Sequence, residues 1–326
     1  MRAGESRVPF PLAPHRATAG VSMDIYLPVA NLSVNALVIV LLGGGVGLLS
    51  GMFGVGGGFL TTPLLIFYGI PPTVAAASAT TQVTGASVSG ALAHYRRGGV
   101  DIPMGGVLVA GGVLGAVAGS ALFRLLQSLG QIDTVINILY VVLLLGVGIP
   151  MGREAVASVA ATIQGTPIAP KKRRHHPAVA ALPFRWRFYA SGLYISPIAP
   201  LLLGFVTGIM TVLLGVGGGF IMVPAMLYIL GMATRVVVGT SLFQILFVTA
   251  ATTMVHAVTT KAVDIVLAFF LLLGSVIGAQ LGARLAARFK PDYLRLLLAA
   301  LVLAVAFRLA IGLTWRPDEI YTVQLI

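Results

Sequence analysis

The sequence predicts an all-α polytopic membrane protein: two inverted repeats of about five hydrophobic segments each, with broken helices or half-helices at glycine-rich motifs. Three observations carry this expectation: the apolar composition, the spacing of the apolar runs, and a self-similarity that holds one register. Of 326 residues, 58% are hydrophobic and only 9% are charged, against roughly 25% charged in an average soluble chain. So little polar surface cannot coat a water-soluble globule, and the mean hydropathy of +1.00 agrees. Forty glycines suit closely packed membrane helices. Zero cysteines exclude disulfides, iron–sulfur clusters and thiolate zinc sites, so neither a metal nor a cofactor is expected. The formal charge of +12 would suggest nucleic acid in a soluble chain. Here the basic residues fall between apolar runs, where they mark the cytoplasmic face; the expected partners are the lipid bilayer and a small anion, with no nucleic acid.

In chain order, residues 1–22 contain three Arg, three Pro and no continuous apolar core, and read as a disordered extension. Met23 opens an interfacial lead-in, or is the true start. The first transmembrane repeat spans 23–150, with apolar runs near 35–53, 58–69, 74–95, 102–123 and 132–150. A basic loop at 151–192 follows, carrying Arg153, Lys171, Lys172, Arg173, Arg174, Arg185 and Arg187 against Glu154, which puts it in the cytoplasm. Its KKRRHH run is a topology signal, with contact to anionic lipid as a second option. The second repeat covers 193–314, with runs near 193–214, 217–231, 237–257, 262–284 and 291–314; a tail follows at 315–326.

The two sets of runs are copies of one another. GVGGGF at 54–59 recurs at 215–220, and Pro63 recurs as Pro224, both at an offset of 161 (215 − 54). Gln82 matches Gln244 and His94 matches His256 at 162, and Val100-Asp101-Ile102 matches Val263-Asp264-Ile265 at 163. An odd number of crossings per copy inverts the second one. Charge agrees with that topology: Arg96, Arg97, Arg235, Arg284, Arg288, Lys290 and Arg295 fall on the side of the basic loop. Full crossings number eight or ten, because 58–69 and 217–231 are short.

The candidate chemistry sits at the glycine runs. At about 1 kcal/mol lost per glycine, the helix breaks there, and broken backbone at membrane depth survives only where protein buries it or water reaches it. Gly54, Gly56, Gly57, Gly58 and Phe59, with Gly215, Gly217, Gly218, Gly219 and Phe220, would present the free N–H groups of the following half-helices to an anion. Close helix contact is the competing reading of the same glycines. A nucleotide loop is excluded, since no GK[ST] follows and Phe59 spoils GxGxxG.

On the next helix Ser78, Thr81 and Gln82 share a face, and in the second copy Gln244, the counterpart of Gln82, follows Thr240 and Ser241. These neutral groups would hydrogen-bond a partly desolvated anion, or hold helices together. His94 and His256 offer proton coupling, but each lies twelve residues past its Gln, about 18 Å along a helix, which favours a position at the membrane face. None of the nine acidic residues falls near the middle of a crossing. Glycine ladders at Gly43-Gly47-Gly51, Gly111-Gly115-Gly119, Gly204-Gly208 and Gly274-Gly278-Gly282 are packing seams, with a homodimer contact as the lesser option.

The runs GLLSGMFGVGGGFLTTPLLIFYGIPP (47–72), AHYRRGGVD (93–101), GVGGGFIMVPAMLYILG (215–231) and GTSLFQ (239–244) resemble the TauE/SafE family of sulfite exporters and anion permeases. The resemblance covers nearly everything from 23 to 313. It implies an inner-membrane permease, multi-pass in a bacterial cell, moving small sulfur-containing anions such as sulfite or sulfoacetate, with export as the direction; the inverted repeats themselves suggest alternating access about the glycine breaks as the mechanism. SATTQ (78–82) departs from the acidic or Asn-containing stretch of the family pattern, which leaves coupling ion and exact cargo open. A non-transporting structural or sensory protein that binds an anion or lipid is the alternative. An intramembrane enzyme would need a nucleophile, metal cluster or acid/base pair at depth, and none is visible, so no enzyme is expected.

Overall fold

Helices form along the apolar runs, and two of them stop at the glycine runs, while Pro63, Pro150 and Pro224 lie inside helices. The computed structural model describes residues 24–53, 56–163, 182–286 and 291–314; Gly54, the 1–22 extension, residues 164–181 of the basic loop and the 315–326 tail lie outside them. A short antiparallel hairpin, β1 (Asp24–Leu27) and β2 (Leu32–Asn35), precedes α1 (Ala36–Phe53) and α2 (Gly58–Phe67). Then come α3 (Pro72–Arg96), α4 (Ile102–Ser128) and α5 (Ile132–Ile163). The same series follows again: hairpin β3 (Trp186–Phe188) and β4 (Leu193–Ile195), α6 (Ile198–Leu214), α7 (Gly219–Tyr228), α8 (Thr234–Val255), α9 (Ile265–Ala286) and α10 (Pro291–Thr314). A π-helical turn, His256–Thr260, extends α8.

Five helices are long and apolar enough to cross a bilayer: Ile102–Ser128, Ile132–Ala160, Val236–Thr260, Ile265–Gly282 and Leu296–Leu313. The chain is a multi-pass membrane protein. Ten full crossings do not form, because α2 and α7 have 10 residues each, about 15 Å or half a hydrocarbon layer. At the other extreme α5 runs through Pro150 to Ile163, past the end of its apolar run near residue 150. Two short hairpins, which the apolar pattern does not announce, lead into α1 and α6.

The major helix pairs join one half to the other: α1 packs on α9, α4 on α6, α3 on α8 and α5 on α10. The glycine ladders are these seams. A methyl group on Gly43, Gly47 or Gly51 would collide with the backbone of Leu271, Ser275 or Ala279, and one on Gly111 or Gly115 with that of Leu201 or Phe205. Helix backbones this close exploit missing side chains, so both ladder pairs are consumed within the chain. The central core gathers Phe59, Leu60, Phe123, Tyr140, Leu214, Phe220 and Val302 from both halves.

Two buried carboxylates tie the halves at their ends. Asp101 caps α4 by accepting from the Met104 N–H (3.1 Å), and its other oxygen accepts from the Ser191 N–H (2.9 Å) and hydroxyl in the second hairpin. Asp264 repeats this at α9, accepting from the Leu267 N–H (3.1 Å) and from the Val29 N–H (3.0 Å) in the first hairpin. Both side chains are fully buried. Each satisfies helix-end donors that would otherwise be orphaned.

Candidate functional site

Both helices break at the glycine runs. Gly56 and Gly57 take φ of +83° and +71°, and Gly215, Gly217 and Gly218 take +72°, +70° and +78°, a left-handed region open to glycine at no steric cost. The chain turns there and restarts as α2 and α7. The two restarts abut: a methyl group built on Gly58 would sit 2.8 Å from the carbonyl oxygens of both Gly215 and Val216. Phe59 and Phe220, each in the first turn of its half-helix, stack at 4.5 Å with planes 8° apart.

The breaks are partly self-satisfied. The Gly58 N–H donates to the Gly56 carbonyl (2.8 Å), and the Leu60 and Thr61 N–H groups return to the Gly57 carbonyl. At α7 the Ile221 and Met222 N–H groups return to the Gly218 carbonyl. What remains of each N-terminus is narrower than an open row of donors. On the other side of the second break, the last carbonyl of α6, Leu214, accepts from the Thr62 hydroxyl (3.1 Å) and from the Tyr140 hydroxyl, so first-half side chains cap the broken end of a second-half helix.

Gln82 and Gln244 occupy equivalent places beside this junction. The residue after each touches the breaks: methyl groups built on Gly58 and Gly217 would meet Val83 at 2.6 and 2.7 Å, and one on Gly217 would meet Ile245 at 3.2 Å. Their chemistry differs. The Gln82 amide oxygen accepts from the Thr61 hydroxyl (2.8 Å) in the first turn of α2. At the position equivalent to Thr61 stands Met222, which has no hydroxyl, and Gln244 is fully buried with neither amide atom partnered among the described residues. A buried amide without partners is costly. Such a group calls for an explanation, an ordered water or a ligand among them.

The remaining expected residues are distributed differently. Ser78 and Thr240 accept from the backbone N–H groups of Asp264 (3.0 Å) and Asp101 (2.9 Å), so their hydroxyls serve the helix-end ties. The Ser241 hydroxyl turns back to the Val238 carbonyl (2.9 Å). The Thr81 hydroxyl is buried without a described partner. His94 lies partly exposed in the last turn of α3. His256 is fully buried inside the protein: Nε2 donates to the Val212 carbonyl (3.0 Å), Nδ1 lies 3.1 Å from the Thr260 hydroxyl, and Phe123 meets the ring edge-on. Sequence reasoning passed over Thr61, Thr62 and Tyr140. The mismatch of Thr61-Thr62 with Met222-Val223 in otherwise matching copies was the available signal.

A multi-pass helical protein with paired, buried helix breaks at a polar junction has the architecture of a membrane transporter. Comparison with known proteins agrees. The chain belongs to the family described as sulfite exporter TauE/SafE, whose model matches residues 39–309. A Bacillus subtilis protein named "Probable membrane transporter protein YjnA" is 29% identical over 271 residues, 83% of this chain and 98% of its own length. A "Probable membrane transporter protein" of Xylella fastidiosa is 28% identical, over 66% of this chain and 71% of its own. "Sulfite exporter TauE/SafE family protein 3" of Arabidopsis thaliana is 29% identical over 36% of this chain and 25% of its own length. No solved structure matches. The protein is a membrane transporter and not an enzyme.

Proposed function

We propose that this chain exports small sulfur-containing anions, such as sulfite or sulfoacetate, across a bacterial inner membrane, through a site formed where α2 and α7 begin. The observation that carries the reading is the unpartnered, buried Gln244 amide beside two abutting helix breaks. Half-helix N-termini favour an anion through dipole and donors together, and the amide supplies hydrogen bonds without a second full charge.

Alternating access between two inverted repeats is the mechanism. Its support is the way α3 crosses its counterpart α8: Thr84 bonds Thr249 (2.8 Å) and Thr80 bonds Thr253 (3.0 Å), so the two helices run in opposite directions. A two-fold axis that reverses a crossing helix lies in the membrane plane. The stacked Phe59 and Phe220 close the centre, and the repeats would rock about that stack. The test is counterflow of labelled sulfite and sulfoacetate in proteoliposomes. Wild-type exchange that falls at least about tenfold in Gln244→Ala and Gly57→Leu supports the site. Unchanged flux in both removes it.

A further inference from the structure

A second polar place lies away from the helix breaks, where the end of α2 meets α5 and α10. A cavity of about 240 Å³ opens there between Phe67 of α2, Asn137 of α5, and Arg308, Leu309 and Gly312 of α10, far more than the ~30 Å³ that one water occupies. Arg308 is the lone charged residue of the span Leu296–Leu313, and an ionisable group inside a membrane span marks a functional place by default. Topology does not account for it. The chain enters α10 just after the basic residues Arg284, Arg288 and Lys290, so by charge Arg308 lies towards the opposite leaflet, where no excess of Lys and Arg is expected.

The Arg308 guanidinium sits 5.4 Å from the centre of the Phe67 ring, a contact that steadies the cation without using its N–H donors. The side chain is exposed, and no carboxylate among the described residues pairs with it. On the α5 wall of the same cavity, Asn137 Oδ1 is buried with no hydrogen-bond partner. The cavity therefore holds an uncancelled cation and an orphaned acceptor. A ligand that suits both brings an anionic oxygen for Arg308 and an N–H for Asn137; a fully ionised oxyanion brings acceptors only.

We infer that this cavity binds the headgroup of a membrane phospholipid of the ethanolamine type, its phosphate on Arg308 and its ammonium donating to Asn137. Basic pockets between membrane helices hold phospholipid headgroups in this way, and the half-exposed Phe67 and Leu313 side chains flank the cavity with apolar surface for the acyl chains. Phe67 ends the half-helix whose first turn carries Phe59, so bound lipid buttresses α2 from the end opposite the junction. A choline lipid has the same phosphate and the same net charge, but its quaternary nitrogen carries no N–H and leaves Asn137 orphaned.

That single difference is the test. The full chain is purified in detergent, stripped of lipid, and offered equal concentrations of phosphatidylethanolamine and phosphatidylcholine with identical acyl chains; bound lipid is counted by native mass spectrometry. Retention of the ethanolamine lipid at least about fivefold above the choline lipid is expected, from the acceptor that only the former satisfies. Asn137→Leu should erase the preference while both lipids still bind through phosphate, and Arg308→Leu should lower retention of both. Equal retention by the wild-type chain would overturn the inference whatever the variants do, as would a preference that survives Asn137→Leu. Soluble O-phosphoethanolamine displacing the lipid at equal concentration would overturn lipid as the occupant. None of these results bears on anion exchange, so the transport reading stands or falls separately.

Discussion

Gly58 is where the two breaks touch, which makes Gly58→Ala a sharp perturbation. The added methyl would lie 2.8 Å from the carbonyl oxygens of Gly215 and Val216 and 2.6 Å from Val83 Cγ2. The valine methyl can rotate, but the two oxygens belong to backbone and retreat only if the α6–α7 connection moves away from α2. Overpacking of this kind costs about 1–3 kcal/mol, and a shift at the junction would also part the Phe59–Phe220 stack, worth about 0.5–1.5 kcal/mol beyond its buried area. Together these give about 2–4 kcal/mol, a loss of several degrees in melting temperature. Gly45→Ala is the control: it lies inside α1 with nothing within 4 Å of its added methyl, and alanine is better than glycine in a helix by about 1 kcal/mol. Thermal unfolding in detergent and anion counterflow are measured on both variants. Gly58→Ala melting with wild type and transporting normally would refute direct contact between the breaks.

Asp264→Ala removes acceptors for the Leu267 and Val29 N–H groups, so a destabilisation of about 2–4 kcal/mol is expected, with Asp264→Asn losing less; hydrogen exchange at Val29 reports the freed hairpin. Gly47→Leu drives a side chain into the Ser275 backbone, separating α1 from α9, and should abolish recovery of folded protein by size-exclusion chromatography, whereas Gly146→Leu, with open space around its Cβ, should not. Thr61→Val frees the Gln82 oxygen at a cost of about 1–3 kcal/mol for a buried unsatisfied group, read as a lower melting temperature that Thr61→Ser restores. Met222→Thr offers Gln244 the hydroxyl that Thr61 offers Gln82, and should raise KM for the exchanged anion while leaving the fold intact by circular dichroism.

Much of this architecture is legible in residue order because helix making and breaking are local. Apolar runs state where the helices lie, the repeated GVGGG runs mark where two of them stop although Gly43-Gly44-Gly45 continues α1 unbroken, and the same repetition states that the halves correspond. The candidate site was legible only in outline. Ser78 and Gln82 share one helix face, yet Ser78 turns to the Asp264 backbone and Gln82 to Thr61, because the partner of a hydroxyl is chosen by whichever distant donor arrives beside it. His256 shows the same limit. Counting residues along α8 sets its position on the helix, whereas only the contacts with Val212, Thr260 and Phe123 show that its ring is buried.

From the linear chain alone came the membrane as solvent, the duplication, and the two places where the helical backbone fails, since each follows from composition or from the torsional freedom of a few adjacent residues. Only packing in three dimensions decided that both failures meet at one point, that Gln82 is satisfied while Gln244 is not, and that Asp101 and Asp264 each hold the opposite half. Those outcomes depend on contacts between residues 21 to 235 positions apart, and no local preference encodes which surfaces will find each other.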